Sequence, residues 1–174
     1  MSDDDAAQTM WQGRYIAAKT QGRWEYVTRT RGIGAAVILA VEDGHVLLVE
    51  QYRVPLGRAC LELPAGLIGD EDAAERDPLV VARRELEEET GWTAAHLELV
   101  GVFASSPGMV GETFTLVKAT GLSKISDGGG VSGEEITVHR VPLDGIAAFV
   151  AARRDEGMAM DVKLLALLGP GLLG

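Results

Sequence analysis

Three glutamates, Glu85, Glu88 and Glu89, stand at positions i, i+3 and i+4 of the segment Arg84-Glu85-Leu86-Glu87-Glu88-Glu89-Thr90-Gly91-Trp92. On a helix this spacing puts three carboxylates on one face, where each like-charge pair destabilises by roughly 0.2–0.5 kcal/mol. Their place in the last turns, at the negative end of the helix dipole, adds to the cost, and Arg83 and Arg84 offset only part of it. An acidic helix face is ordinarily just solvated. Oxygen donors gathered on a rigid support are also what a hard divalent cation needs, so the chemistry these residues could carry is metal-assisted, with Glu85, Glu88 and Glu89 as ligands.

The elements that must position them can be read outward from that segment. Asp77 followed by Pro78 reads as an N-cap with proline in the first turn, and Gly91 as the residue that ends the helix. Upstream, Ala35 to Val41 is a continuous apolar run, and Asp43-Gly44 predicts a tight hairpin into a strand from His45 to Glu50. Cys60 to Leu63 reads as a strand leading into the loop before the acidic helix. Further strands are expected at Leu97 to Phe103, Thr113 to Lys118 and Ile136 to Val141, with helices at Ile146 to Arg154 and Asp161 to Leu168. Ser123 to Gly133, with three consecutive glycines, is a long loop, either disordered or a functional lid. Mixed sheet with helices packed on it implies an α/β sandwich.

Composition bounds the rest. A chain of 174 residues, 47% hydrophobic, suits one domain over 1–174. Met1-Ser2-Asp3-Asp4-Asp5 lacks the basic and apolar regions of a leader, and no apolar run is long enough to span a bilayer, so a cytoplasmic protein is expected. Cys60, the single cysteine, cannot form an internal disulfide and reads as a small buried residue. The net charge of −10 argues against general affinity for nucleic acid or anionic membrane; a phosphate-bearing ligand must be drawn in by metal and a few local arginines.

The Arg-Glu-Leu-x-Glu-Glu-x-Gly-apolar string resembles the C-terminal half of the Nudix box, the signature of hydrolases that cleave nucleoside diphosphates linked to another group. The N-terminal half is irregular, because counting back from Arg84 puts Arg76 where the family has a glutamate. Gly66 resembles the family's glycine if the loop from Gly69 to Arg76 is longer than usual. Alternatively Gly69 and Glu75 keep the first spacing and one residue is inserted before Arg84. The first alignment is preferred, since Pro64-Ala65-Gly66-Leu67 is itself family-like and the inserted run is polar. The missing glutamate's bracing role would pass to Glu75, Asp72 or Glu71.

Outside the box, Gln51-Tyr52-Arg53-Val54-Pro55, Leu61-Glu62-Leu63-Pro64-Ala65-Gly66-Leu67, Ser105-Ser106-Pro107-Gly108 and Trp24-Glu25-Tyr26-Val27-Thr28-Arg29 together resemble the ADP-ribose (ADP-sugar) pyrophosphatase branch. That resemblance implies a Nudix-type α/β/α sandwich with a mixed sheet and an N-terminal antiparallel hairpin, residues 1–33 serving dimerisation and 34–174 forming the catalytic core. It implies magnesium, or manganese, on Glu85, Glu88, Glu89 and the backbone carbonyl of Ala65, with Arg84 orienting the acids. The branch takes its general base from a mobile loop, where Glu134 aligns best; Glu135 is its neighbour, and Glu112 or a box glutamate is the alternative. Trp24 and Tyr15 would contact adenine, often from the other subunit of a swapped homodimer. Glu25, Arg29 and Arg53 would contact nucleotide and phosphates, and Leu67, Ser106, Pro107 and Gly108 would complete the pocket. The competing reading of Arg53 is a salt bridge with a nearby acid. The implied reaction converts ADP-ribose to AMP and ribose 5-phosphate; another nucleoside diphosphate sugar or nucleotide as substrate, or a non-catalytic ADP-ribose-binding module, are the competing expectations.

Overall fold

The computed structural model describes residues 6–69, 75–131 and 133–173. At its centre, β4 (Gly34–Glu42) and β5 (His45–Arg53) are joined by Asp43-Gly44, whose φ values of 48° and 69° give the left-handed turn that the sequence predicts. The two strands stay paired only at Val41↔Val46 and Glu42↔His45 and then part. Beyond that point β4 takes β7 (Ala65–Ile68) antiparallel on one side and β9 (Thr113–Lys124) parallel on the other. β5 is flanked by β6 (Arg58–Glu62) and β10 (Ile136–Pro142), both antiparallel. β8 (Trp92–Ala104) closes one edge against β9, and the two-residue β11 (Ala159–Met160) closes the other, parallel to β6.

The unbroken apolar run of β4 follows from its burial on both faces. Ala36, Ile38 and Ala40 pack with Val81, Ala82 and Leu86 of the acidic helix segment. Val37 instead joins Leu48, Leu61 and Leu63 beneath Ile146, Val150 and Leu164. Helix α1 (Pro78–Glu85) therefore covers one face, and α2 (Ile146–Asp155) with the segment leading into α3 (Leu165–Leu173) covers the other, which is the expected sandwich. No helix among the described residues is long and apolar enough to cross a membrane.

Several boundaries differ from expectation. The N-terminal unit is a three-stranded antiparallel sheet of β1 (Gln8–Gln12), β2 (Ile16–Gln21) and β3 (Trp24–Arg29), one strand more than a hairpin. Strand β1 carries no alternation of polar and apolar residues that could announce it, because all five of its residues are exposed. Strands β8 and β9 pair as far as Trp92↔Lys124, so Ser123 and Lys124, expected in a loop, are strand. Asp161 stays outside its helix as a cap, accepting the Lys163 N–H at 2.7 Å; Val162–Leu164 form a 3-10 turn, and α3 runs on to Leu173. Glu71 and Asp72, two candidates for the bracing role, lie outside the described residues.

Candidate active site

The acidic helix begins as its sequence predicts. The Asp77 carboxylate accepts the Leu79 N–H at 2.9 Å and Pro78 follows in the first turn. Glu75 accepts the Asp77 N–H at 2.7 Å and so steadies the entry to the helix, one of the three ways in which the missing box glutamate could be replaced. The far end departs from a simple helix. Regular α geometry stops at Glu85, Leu86–Thr90 widen into a π turn, and Gly91 ends the segment with φ 74°. Single π turns within helices occur mostly at functional sites.

Strand β7 meets this helix at closest range through Gly66. A Cβ on Gly66 would lie 1.9 Å from the Glu85 carboxyl carbon, so with any other residue here the Glu85 side chain would have to leave its present position. The structure thus gives Gly66 the role of close contact with the box; at Gly69 a Cβ would meet only the tip of the Arg76 side chain. One residue earlier, the Ala65 N–H donates to Glu89 at 3.0 Å. Arg84 donates to Glu85 at 2.9 Å and lies 3.9 Å from Glu88. Leu67 pairs with Ala35, in the rung next to the Gly66↔Ala36 pair.

Glu89 is the electrostatic centre of the cluster. It is only 7% exposed, and burial pushes its carboxyl up to about 8. The Ala65 N–H and Arg53 pull it down, while the charges of Glu85 and Glu134 raise it further. A buried carboxyl facing two other acids is stabilised in its charged form by a divalent cation, and this all-oxygen donor set suits magnesium or manganese. Among the described residues, no three His, Cys, Asp or Glu side chains stand converged as a ready-made cage. That is compatible with magnesium, which keeps several of its waters and takes only one or two carboxylates directly.

Arg53 is not a free phosphate ligand. Its guanidinium makes a two-pronged bond to Glu62, Nε to Oε1 at 2.6 Å and Nη2 to Oε2 at 2.9 Å, and this bond raises the arginine's pKa. Glu62 is 6% exposed, whereas the Arg53 side chain is 41% exposed, so the pair is fixed from below and open above. The competing expectation of a salt bridge is therefore met, with Nη1 still available for a ligand. Cys60, on the same strand, is buried and its thiol is pushed up to about 12 by that burial and by Glu62.

A second group of expected residues is assembled by β3. Val27 donates to the Met109 carbonyl at 3.0 Å and accepts the Gly111 N–H at 2.8 Å, stitching β3 to the segment after Ser105-Ser106-Pro107-Gly108. The Ser106 carbonyl folds that segment by accepting from Met109 and Val110. Arg29 closes the connection through an ion pair with Glu112 at 2.7 Å. Arg29 thus has an acidic partner in its own chain, and the Glu112 carboxylate, one alternative as general base, is already held. Trp24 and Tyr15 are 55% and 49% exposed, and Glu25 is exposed beside Trp24. The pairs Phe103↔Phe114, Phe114↔Ala35 and Ala35↔Leu67 carry this end of the molecule across to β7 and the acids.

Glu134 is brought toward the acidic helix by Gly130, whose N–H donates to the Glu88 carbonyl at 3.0 Å and whose Cβ position lies 2.6 Å from a Glu134 carboxylate oxygen. That carboxylate accepts the Val131 N–H at 3.1 Å, and the Glu134 N–H donates to the Val131 carbonyl at 3.0 Å. Glu134 and its neighbour Glu135 are both exposed. Sequence reasoning missed the partnership of Arg53 with Glu62, although the period of two along β6 puts Glu62 on the same face as Cys60 and could have suggested it.

An acidic helix whose Glu85 abuts Gly66 of a neighbouring strand, on a mixed sheet covered on both faces, is the scaffold of a hydrolase family that is generally dependent on divalent metal. Residues 30–158 match the NUDIX domain, and the chain belongs to that family. It is 36% identical over 138 residues to a methanol dehydrogenase activator of Bacillus methanolicus, covering 77% of this chain and 72% of the relative. Identity and both coverages are the same for an ADP-ribose pyrophosphatase of Bacillus subtilis (strain 168). A solved structure described as an ADP compounds hydrolase superimposes with a TM-score of 0.70 over 97% of this chain and 92% of that one; at 23% identity it supports the fold alone.

Proposed function

We propose that this NUDIX hydrolase is a magnesium-dependent pyrophosphatase that converts ADP-ribose, and ADP-sugars of the same form, to AMP and ribose 5-phosphate. The observation that carries the reading is the buried Glu89, held by the Ala65 N–H and raised by the charges of Glu85 and Glu134, at the sheet end to which β3 and Ser106-Pro107-Gly108 are tied. Its similarity to the Bacillus subtilis ADP-ribose pyrophosphatase supports the same substrate class.

Glu85, Glu88, Glu89 and the Ala65 carbonyl would hold the metal, one or two of the carboxylates directly and the others through its waters. Magnesium, when bound, neutralises the diphosphate and stabilises the charge that develops as the phosphorus–oxygen bond breaks. Glu134 takes the proton from the attacking water, a role for a carboxylate that can come within hydrogen-bond reach. Arg84 keeps Glu85 and Glu88 oriented. Arg53, fixed by Glu62, offers its free edge to a phosphate oxygen. Trp24 and Tyr15 stack on adenine, with Glu25 and Arg29 on the nucleotide, and Leu67, Ser106, Pro107 and Gly108 shape the sugar side.

The working unit is a homodimer, and the segment 1–33 provides its contact. Met10, Trp11 and Ile16 are exposed on a three-stranded sheet in which Ala17 alone is buried, Tyr15 is exposed in the turn beside it, and such a sheet needs a packing partner to be stable. We assign the enzyme to the cytoplasm, acting on a small molecule rather than on nucleic acid or membrane. Incubation of the purified protein and magnesium with ADP-ribose, ADP-glucose, GDP-mannose and dinucleotides, with products identified, tests the reading. Release of AMP and ribose 5-phosphate at the highest kcat/KM is expected; preference for another diphosphate would reassign the substrate, and tight binding of intact ADP-ribose would make the protein a sensor.

A further inference from the structure

The glycine-rich segment after β9 is fastened to the end of the acidic helix rather than lying free of it. The last carbonyls of any helix lack partners within it. Here the Gly130 N–H donates to the Glu88 carbonyl at 3.0 Å and the Gly129 N–H to the Glu89 carbonyl at 2.9 Å. Ile125 and Ser126 donate to the carbonyl of Gly91, the residue that ends the helix, at 2.8 and 3.1 Å. The fit requires glycine on both sides. A Cβ on Gly128 would lie 2.4 to 2.7 Å from backbone atoms of Thr90, Gly91 and Glu89, and one on Gly91 would lie 2.3 Å from the Ser126 carbonyl. Gly128, Gly129 and Gly130 also have φ values of 67°, 108° and 82°, which side-chain-bearing residues rarely adopt.

We infer that Gly128, Gly129 and Gly130 are positioning residues: they clamp the segment carrying Glu134 onto the backbone of Glu88 and Glu89, so that the carboxylate expected to move the proton is registered against the acids expected to hold metal. The inference rests on the proposed function for the role of Glu134, but the clamp itself rests on backbone contacts. From the clamp, the segment turns back immediately. Ile136, the first residue of β10, donates to the Gly129 carbonyl at 3.3 Å, and a Cβ on Gly130 would lie 2.6 Å from a Glu134 carboxylate oxygen. The backbone of Glu88 and Glu89 thus fixes the segment while their side chains serve the metal.

Gly128→Ala must push the segment off the helix end, since the atoms it meets are backbone. With ADP-ribose and magnesium, kcat should fall about a hundredfold, the share a positioned base contributes. KM should stay within about threefold of the parent. In a Glu134→Gln background the same change should cost less than about threefold, because residues acting through one group are not additive. Gly157→Ala, at the end of α2 with φ 88° and nothing within 4 Å of its Cβ, controls for backbone strain and should leave kcat unaltered. Equal losses from Gly128→Ala with and without Glu134 would overturn the inference. If Gly128→Ala does not fold, Gly130→Ala, which meets the Glu134 side chain instead of backbone, takes its place in the same cycle. A Glu134→Gln enzyme within about tenfold of the parent would sink the base assignment of the proposed function and not the clamp. Amide hydrogen exchange then decides: faster exchange at Gly129 and Gly130 in Gly128→Ala supports the clamp, and unchanged exchange refutes it.

Discussion

Replacing Glu89 with glutamine should make the metal-free protein more stable at neutral pH while removing its response to magnesium. The carboxyl is pushed from 4.5 to about 8 in the folded state, chiefly by burial. Between those values the folded chain keeps a proton that the unfolded chain has lost, so stability declines as pH rises and is fully recovered only below the unfolded value. At 1.36 kcal/mol per unit, flattening as pH approaches the folded value, the metal-free parent should lose roughly 2 kcal/mol between pH 6 and pH 8 through this one group. For a domain of this size that is a fall in Tm of about 4–8 °C. Glutamine keeps an oxygen for the Ala65 N–H but carries no charge, so Glu89→Gln should lack this component of the decline. Magnesium at about a hundred times its Kd should raise parent stability by about 2.7 kcal/mol, and the variant should gain little. The assay is thermal unfolding of both proteins across pH 5–8, in chelator and in magnesium. Parallel pH profiles for the two would refute the claim that burial of this carboxylate strains the metal-free fold; an equal magnesium response would refute its role as a ligand.

Other consequences can be checked by steady-state kinetics. Gly66→Ala places a Cβ where the Glu85 carboxyl now sits, and should reduce kcat by more than about tenfold without unfolding the protein, as a circular dichroism spectrum would verify. Trp24→Ala should raise KM for ADP-ribose by about 5- to 150-fold, the equivalent of losing a stacking contact of about 1–3 kcal/mol, with kcat nearly constant. Glu62→Gln should release Arg53 from its two-pronged hold and raise KM more than it lowers kcat, while destabilising the fold by about 1–3 kcal/mol in a denaturant titration.

What could be read from the chain was whatever its local chemistry dictates. Asp77-Pro78 and Gly91 bound the acidic helix because capping and left-handed geometry depend on single residues, and Asp43-Gly44 set its hairpin for the same reason. The approach of Gly66 to Glu85 was legible only through the resemblance of the surrounding string to a known box. Contacts made across long separations were not legible, as where Arg29 meets Glu112 from 83 residues away; for Arg53 a salt bridge was legible, but not that Glu62, nine residues on across the paired strands, is its partner. The triple glycine looked like slack chain because glycine permits both freedom and close approach, and only the positions of the helix-end carbonyls distinguish them. Strand β7 escaped because four residues on a shared edge carry too little pattern to separate them from loop.

The lone thiol at Cys60 offers a built-in reporter. It sits on β6 between β5 and β11, almost wholly shielded, and its ionisation is suppressed well beyond neutral pH. Because the thiolate is the reactive species, an alkylating dye should ignore the native molecule and modify only chains in which β6 has come away. Labelling velocity in mild denaturant would then record how often the sheet edge opens, using a probe that needs no engineered residue.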